Sequence, residues 1–215
     1  MEKQEIVSMI KNFVGRIDTT QKFHPRFLES VIERTLIEMY SDLYKVSPRL
    51  VDLYTKQYGS LTISKNNSTG AYYTTLPANI VNLPCKASGV RHIYLMGNSG
   101  NVFMPMDARE ADLIFNTDVA VVSTKIGYQV RENALVEYWN AAGLFAQTPT
   151  LLMDLLIPFS EYEDSDVVLI PELTDAQGGT FIKRVLGILQ VVPDADLNDD
   201  NANPAKDNNK PNIKQ

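Results

Sequence analysis

Apolar side chains at Ile6, Met9, Ile10, Phe13, Val14 and Ile17 recur at steps of three and four, the stripe of an amphipathic helix with one buried face. The spacing predicts a helix over residues 3 to 17. A second stripe follows His24 and Pro25: Phe27, Leu28, Val31, Ile32, Thr35, Leu36, Met39, Tyr40 and Leu43, with charged residues between, predicting a helix over about 25 to 45. Ser47 and Pro48 match the start of a third helix, an oxygen that caps free amides followed by proline at the first helical position, and Leu50, Leu53 and Tyr54 carry it to Gly59.

Beyond Gly59 the period changes. Leu61 to Ile63 and Ala71 to Leu76 are rich in β-branched and aromatic residues and flank the turn cluster Asn66 to Gly70, which predicts a hairpin. Leu76-Pro77 and Leu83-Pro84 bracket an irregular stretch. A second hairpin is expected from Val90 to Leu95 and Val102 to Met104 around Gly97 to Asn101, residues that accept positive φ. Asp107 caps a short helix reaching Phe115. Val119 to Val130 and Ala134 to Trp139 are strands around Arg131, Glu132 and Asn133, and Thr150 to Phe159 and Val167 to Ile170 extend the β material on either side of an acidic loop from Glu161 to Asp166.

The last regular element is helical, because Phe181, Ile182, Val185, Leu186, Leu189 and Val192 share a face that ends at Pro193. A helix so far along the chain must return to the first three. The expected fold is therefore α+β: a helical bundle formed from residues 1–59 and 172–193, with an inserted antiparallel β subdomain over residues 60–171. Residues 194–215 follow as an extended polar tail. No internal repeat at a solenoid period is present.

The tail holds only Leu197 and Ile213 as sizeable apolar groups, too little to offset the roughly 1 to 2 kcal/mol per residue of backbone ordering. It needs a partner surface to be ordered. Its expected anchors are Leu197 and Ile213, and the acidic residues Asp194, Asp196, Asp199 and Asp200 imply a basic groove on the neighbour. The run Asp194-x-Asp196-x-Asn198 begins like a calcium loop, but Asp199 stands where the turn needs glycine and Ala205 where the bidentate carboxylate belongs.

Composition narrows the function. With 215 residues, 44% apolar and 21% charged, the chain can bury a full core. Its single cysteine, Cys85, cannot form an internal disulfide and is expected to be a small buried or half-buried apolar residue. The start of the chain resembles no secretory signal, and no apolar run approaches the roughly 18 residues of a membrane span, so a protein made and kept in a cytoplasm is expected, with no membrane role. A net charge of −6 argues against broad binding to nucleic-acid backbone.

Enzyme signatures are missing: there is no Walker glycine loop, no Gly-x-Ser-x-Gly elbow and no His-Glu-x-x-His pair. His24 and His92 have no local carboxylate or nucleophile and are read as satisfied structural histidines. Glu161, Glu163, Asp164 and Asp166 could serve a hydrolase as acid and base or hold a cation, against a plain solvated loop. Gly178-Gly179 could approach a phosphate at the start of the last helix, against a flexible entry to it. Tyr40, Tyr44, Tyr54, Tyr58, Tyr72, Tyr73, Tyr94, Tyr128, Tyr138 and Trp139 are mostly core, with a minority expected as interface anchors at the junction of helices and sheet. No catalytic residue, cofactor or metal is expected.

The order of elements carries a resemblance. The helical half-bundle, the β region entered through Tyr72-Tyr73-Thr74-Thr75-Leu76-Pro77-Ala78-Asn79-Ile80-Val81-Asn82-Leu83, and the strand Gly89-Val90-Arg91-His92-Ile93 come first. The hairpin Gly127-Tyr128-Gln129-Val130-Arg131-Glu132-Asn133 and a late helix with a tail follow. This pattern resembles the head-to-tail connector proteins of short-tailed phages, in the style of the ring, or tail-adaptor, proteins of crAss-like phages. The resemblance implies a virion protein assembled in the host cytoplasm as a ring, commonly of twelve copies, beneath the portal. Its partners would be the portal and neighbouring tail or ring proteins, with DNA passing through unbound by sequence. The rival is a binding module without catalysis that recognises a polymer or a protein without forming a ring.

Overall fold

In the computed structural model, which describes residues 1–17, 23–84, 89–96, 103–115, 125–131, 134–141, 150–171 and 179–190, the first stripe becomes α1 (Lys3–Ile17). Ile6, Val7, Ile10 and Val14 are buried on its inner face. The second stripe becomes α2 (Pro25–Val46), which buries Leu28, Val31, Ile32, Leu36, Met39 and Tyr40. Thr35 joins that face because its hydroxyl donates to the Val31 carbonyl at 2.9 Å. His24 serves as the N-cap of α2, its Nδ1 accepting from the Arg26 amide at 3.3 Å.

The third helix is corrected. Residues 48–54 form a 3₁₀ helix (Pro48–Tyr54), and the chain then enters a strand, β1 (Lys56–Leu61). Ser47 makes no side-chain cap, and its amide closes the end of α2 on the Leu43 carbonyl at 2.9 Å. Gly59 therefore ends no helix. It lies in β1, where a Cβ would stand 3.2 Å from the Leu152 side chain. The β material thus begins at Lys56, four residues before the expected boundary.

The remaining strands are β2 (Ser64–Lys65), β3 (Tyr72–Thr75), β4 (Val90–Leu95), β5 (Phe103–Pro105), β6 (Ile126–Arg131), β7 (Leu135–Trp139) and β8 (Leu151–Leu155), with α3 (Ala108–Phe115) between β5 and β6 and α4 (Gly179–Ile188) last. They make two sheets, in the orders β1-β8-β4 and β2-β3-β7-β6-β5. The chain is mixed α+β.

The first hairpin forms as β2 and β3, with Leu61 belonging to β1 and Ile63 to neither strand. Asn66 closes the turn by accepting from the Ser68 and Thr69 amides, and Gly70 supplies a φ of 72°. The second expected hairpin is corrected. β4 pairs with β8 in one sheet and β5 with β6 in the other. The β5–β6 pair is also parallel, so the β region is not purely antiparallel. The helix after Asp107 is capped as expected, by the reciprocal bonds of a capping box: Asp107 accepts from the Arg109 and Glu110 amides, and Glu110 accepts from the Asp107 amide. Residues Phe159–Glu161 turn in 3₁₀ form, and Val167 to Ile170 makes only a single bridge, Glu2 to Val167, rather than a strand.

β8 is the strand on which the smaller sheet is built. Leu151, Met153 and Leu155 are fully buried on its inner side, each worth about 1.5 to 3 kcal/mol by burial of apolar surface. Its continuation, Leu156 to Asp166, ties the distant parts together. Leu156 exchanges bonds with Gly89 and Val81, and the Ser160 amide donates to Glu33 of α2 at 2.8 Å. Further on, the carbonyls of Asp164 and Asp166 accept from the Gln4 and Lys3 amides at the start of α1. The Lys3 ammonium is buried there, donating to the Tyr162 carbonyl at 2.8 Å.

The acidic loop is therefore not merely solvated. Asp166 accepts from Lys56 Nζ at 2.5 Å, and Glu161 accepts from Asn79. α2 packs against α1, α4 and both described 3₁₀ segments, and one continuous set of buried side chains runs through α1, α2, α4 and both sheets. Cys85, residues 97–101, residues 116–124, Glu132, Asn133, Gly178, Val192, Pro193 and the whole of residues 194–215 lie outside the described residues.

Gly89 is the glycine packed most tightly against backbone. A Cβ there would sit 2.6 Å from the Val81 carbonyl oxygen and 2.8 Å from that of Leu156. Gly89→Ala is expected to lower stability by about 2 to 3 kcal/mol in urea unfolding. Gly15→Ala, which meets nothing within 4 Å, is expected to raise it by up to about 1 kcal/mol.

Asp166 gives a pH expectation. The Lys56 bond first, and the Glu163 amide second, hold its carboxyl below the ordinary range. A depressed carboxylate contributes stability that is full above its unfolded value near 3.9 and is lost as pH falls through the folded value. Acid unfolding followed by circular dichroism should therefore steepen below about pH 4, and Asp166→Asn should blunt that steepening.

Candidate interaction surface

A 3₁₀ helix repeats every three residues, so positions i and i+3 lie over one another. In Pro48–Tyr54 this places Val51 and Tyr54 on one side and Leu50 and Leu53 on another. Val51 is fully buried, and the Tyr54 ring lies 5.7 Å from that of Tyr40 in α2. Leu50 and Leu53 face outward, 38% and 64% exposed, beside Val46 at the end of α2, 79% exposed. The outer side of this element carries leucines where solvent favours polar groups.

The element is held firmly from behind. A shift of register between Val90 and His92 in the β4–β8 pair turns Arg91 and His92 toward the 3₁₀ helix. Arg91 donates through Nε to Asp52 Oδ1 at 2.7 Å and through Nη2 to the Pro48 carbonyl at 2.9 Å, with its guanidinium over the Tyr44 ring. His92 Nε2 lies 3.3 Å from Asp52 Oδ2. Past the far end, Lys56 is pinned by Asp166. The helix is therefore fastened near both ends while its leucines stay free.

His92 has a carboxylate partner after all, supplied from residue 52. An imidazole on a carboxylate can act as a base. Here Asp52 is shared with Arg91, and the neighbouring hydroxyl of Tyr94 is pushed toward its protonated form by burial and by Asp154, so no activated nucleophile faces the imidazole among these groups. Burial likewise pushes Tyr128 and Tyr162 up to about 12. Of the four carboxylates weighed for hydrolysis, Asp166 faces Lys56 and accepts from the Glu163 amide, and Glu161 faces Asn79, while the Asp164 carbonyl accepts from the Gln4 amide. Among the described residues no group of three or more His, Cys, Asp or Glu could hold a metal ion, and no helix is long and apolar enough to cross a membrane.

A cleft of about 120 Å³ opens between α2 and α4, lined by Met39, Asp42, Leu43, Val46, Pro171 and Arg184. Arg184 bonds to Asp42 at 2.9 Å across it. The Arg184 bond first, and the Lys45 bond second, lower the Asp42 carboxyl below its ordinary range. Comparison with protein-family models and with curated proteins finds no match for this chain.

The expected tail anchors Leu197, Ile213, Asp194, Asp196, Asp199 and Asp200 all lie outside the described residues. Sequence reasoning missed Val46, Leu50 and Leu53 as surface groups. An α-helical wheel puts Leu50, Leu53 and Tyr54 together on the buried side, whereas a three-residue repeat separates the leucines from Tyr54. Asp52→Ala is expected to leave the part-buried Arg91 unpaired at a cost of about 2 kcal/mol, with faster amide exchange over residues 48–54 as the measured sign.

Proposed function

We propose that this chain is a structural virion protein that assembles into a ring in the head-to-tail connector of a phage, linking portal to tail around the DNA channel. The observation that carries the proposal is the outward apolar face of the 3₁₀ helix, Leu50 and Leu53 beside Val46, fastened to the sheet by Arg91 and Asp52. A ring subunit must offer rigid surfaces to two neighbours at once, because a heterologous contact closes only if every copy holds the same angle. A rigidly held apolar element suits that demand.

The order of elements supports the same proposal. In it α1, α2 and α4 form a bundle built from both ends of the chain, α4 returning to α2 through Arg184 and Asp42, with the sheets inserted between. The net charge of −6 fits a channel through which DNA slides without being held.

Native mass spectrometry of the purified chain tests the proposal. One closed species is expected, of about twelve copies as the resemblance to the ring proteins implies, and a monomer at every concentration would contradict it. Leu50→Ser with Leu53→Ser should dissolve the ring while helical circular dichroism stays unchanged, since neither side chain belongs to the core.

A further inference from the structure

Residues 166–169 run antiparallel to the first three residues, joined by the bridge between Glu2 and Val167. The Lys3 amide donates to the Asp166 carbonyl at 3.0 Å and the Val168 amide to the Met1 carbonyl at 2.8 Å, while the Val168 carbonyl accepts from the Met1 nitrogen at 3.4 Å. These bonds flank the bridged pair, which is the arrangement in which the pair's own amides and carbonyls point away from each other, to the outer edges. On the Glu2 side that amide donates to the Glu5 carboxylate at 3.0 Å. On the other side, among the described residues, nothing pairs with the amides or carbonyls of Val167 and Leu169.

The side chains alternate as they do in a strand. Val168 is 1% exposed, whereas Val167 and Leu169 are 64% and 51% exposed. Strand edges open to solvent are commonly guarded by lysine or proline, and residues 166–170, Asp-Val-Val-Leu-Ile, contain neither. The edge therefore combines free main-chain groups with uncovered aliphatic side chains, the two features that an added strand satisfies together.

Charge around the edge selects the strand. Glu2, Glu5, Glu163 and Asp164 are exposed there, and among the described residues none of the four has an ion-pair partner. The cations of the same corner are engaged elsewhere: Lys3 is buried against the Tyr162 carbonyl, and Lys56 is paired with Asp166. A second copy of this edge would set these carboxylates against their own kind, which disfavours self-pairing. We infer that residues 167–169 are a strand-addition site for an extended basic segment of another polypeptide. Its main chain pairs with Val167 and Leu169, its alternate apolar side chains cover theirs, and its lysines or arginines meet the four carboxylates. The inference is independent of the ring reading, since it uses none of Val46, Leu50 and Leu53.

Amide exchange of the full chain, read residue by residue by NMR, tests it with a capped heptapeptide of alternating lysine and valine as the probe. Without peptide, the Val168 amide should exchange slowly and those of Val167 and Leu169 fast. Saturating peptide should slow Val167 and Leu169 by about tenfold or more and leave Val168 unchanged. The same peptide methylated at its backbone nitrogens, and one of alternating glutamate and valine, should have no such effect. Glu163→Lys with Asp164→Lys should raise the peptide concentration needed by about fivefold or more, as two reversed surface charges imply. Unchanged exchange at Val167 and Leu169, or equal slowing by either comparison peptide, would overturn the inference, as would full sensitivity in the double variant. Slowing that appears without peptide as the chain is concentrated would give the edge to another copy and overturn it too.

Discussion

The structure depends on a short return of chain, Leu156 to Asp166, that brings the end of β8 back to the first residues. The first amides of a helix have no partner within the helix and must find one elsewhere. In α1 two of them find the carbonyls of Asp164 and Asp166, more than 150 positions away in sequence. Lys3, inside the same corner, gives its ammonium to the Tyr162 carbonyl and lies over the Phe159 ring. Burying an ammonium is costly unless its donors are met, so the geometry of this corner is specified closely. Aspartates near a helix N-terminus are favoured there by the helix dipole as well.

That corner reaches the proposed contact surface through Asp166. Its carboxylate holds Lys56, the first residue of β1, and Lys56 follows the 3₁₀ helix after one residue. Arg91 holds the other end at the Pro48 carbonyl. The two fastenings use opposite sides of the smaller sheet: Lys56 pairs with Leu155 in register, and Arg91 sits at the irregular position of β4. A seven-residue 3₁₀ helix has poorer hydrogen bonds than an α-helix and would not persist alone. It persists here because polar groups bind it from outside its own ladder, and that leaves its leucines fixed in place rather than free to turn inward.

The long helices were legible because many residues vote on one period: the α1 boundaries and the buried side of α2 follow from spacing alone. The turns at Asn66 and Asp107 were legible because a side chain beside its own backbone needs no distant partner. What failed was mostly set by partners far along the chain. The β4–β5 hairpin looked local, yet β8 offered β4 a better apolar face in Met153 and Leu155. The seven residues from Pro48 to Tyr54 are too few for the period to distinguish three residues per turn from 3.6. His92 seemed to lack a carboxylate because Asp52 is forty positions earlier. The tail was read from composition alone, and it lies outside the described residues.

The central claim is that the outward side of the 3₁₀ helix is a contact surface between copies. Hydroxyl-radical footprinting across a dilution series tests it residue by residue. Val51, fully buried in the fold, should stay protected at every concentration. Leu50 and Leu53 should be protected in concentrated protein and become oxidised on dilution, in step with loss of the ring. Equal oxidation of both leucines at all concentrations would contradict the claim.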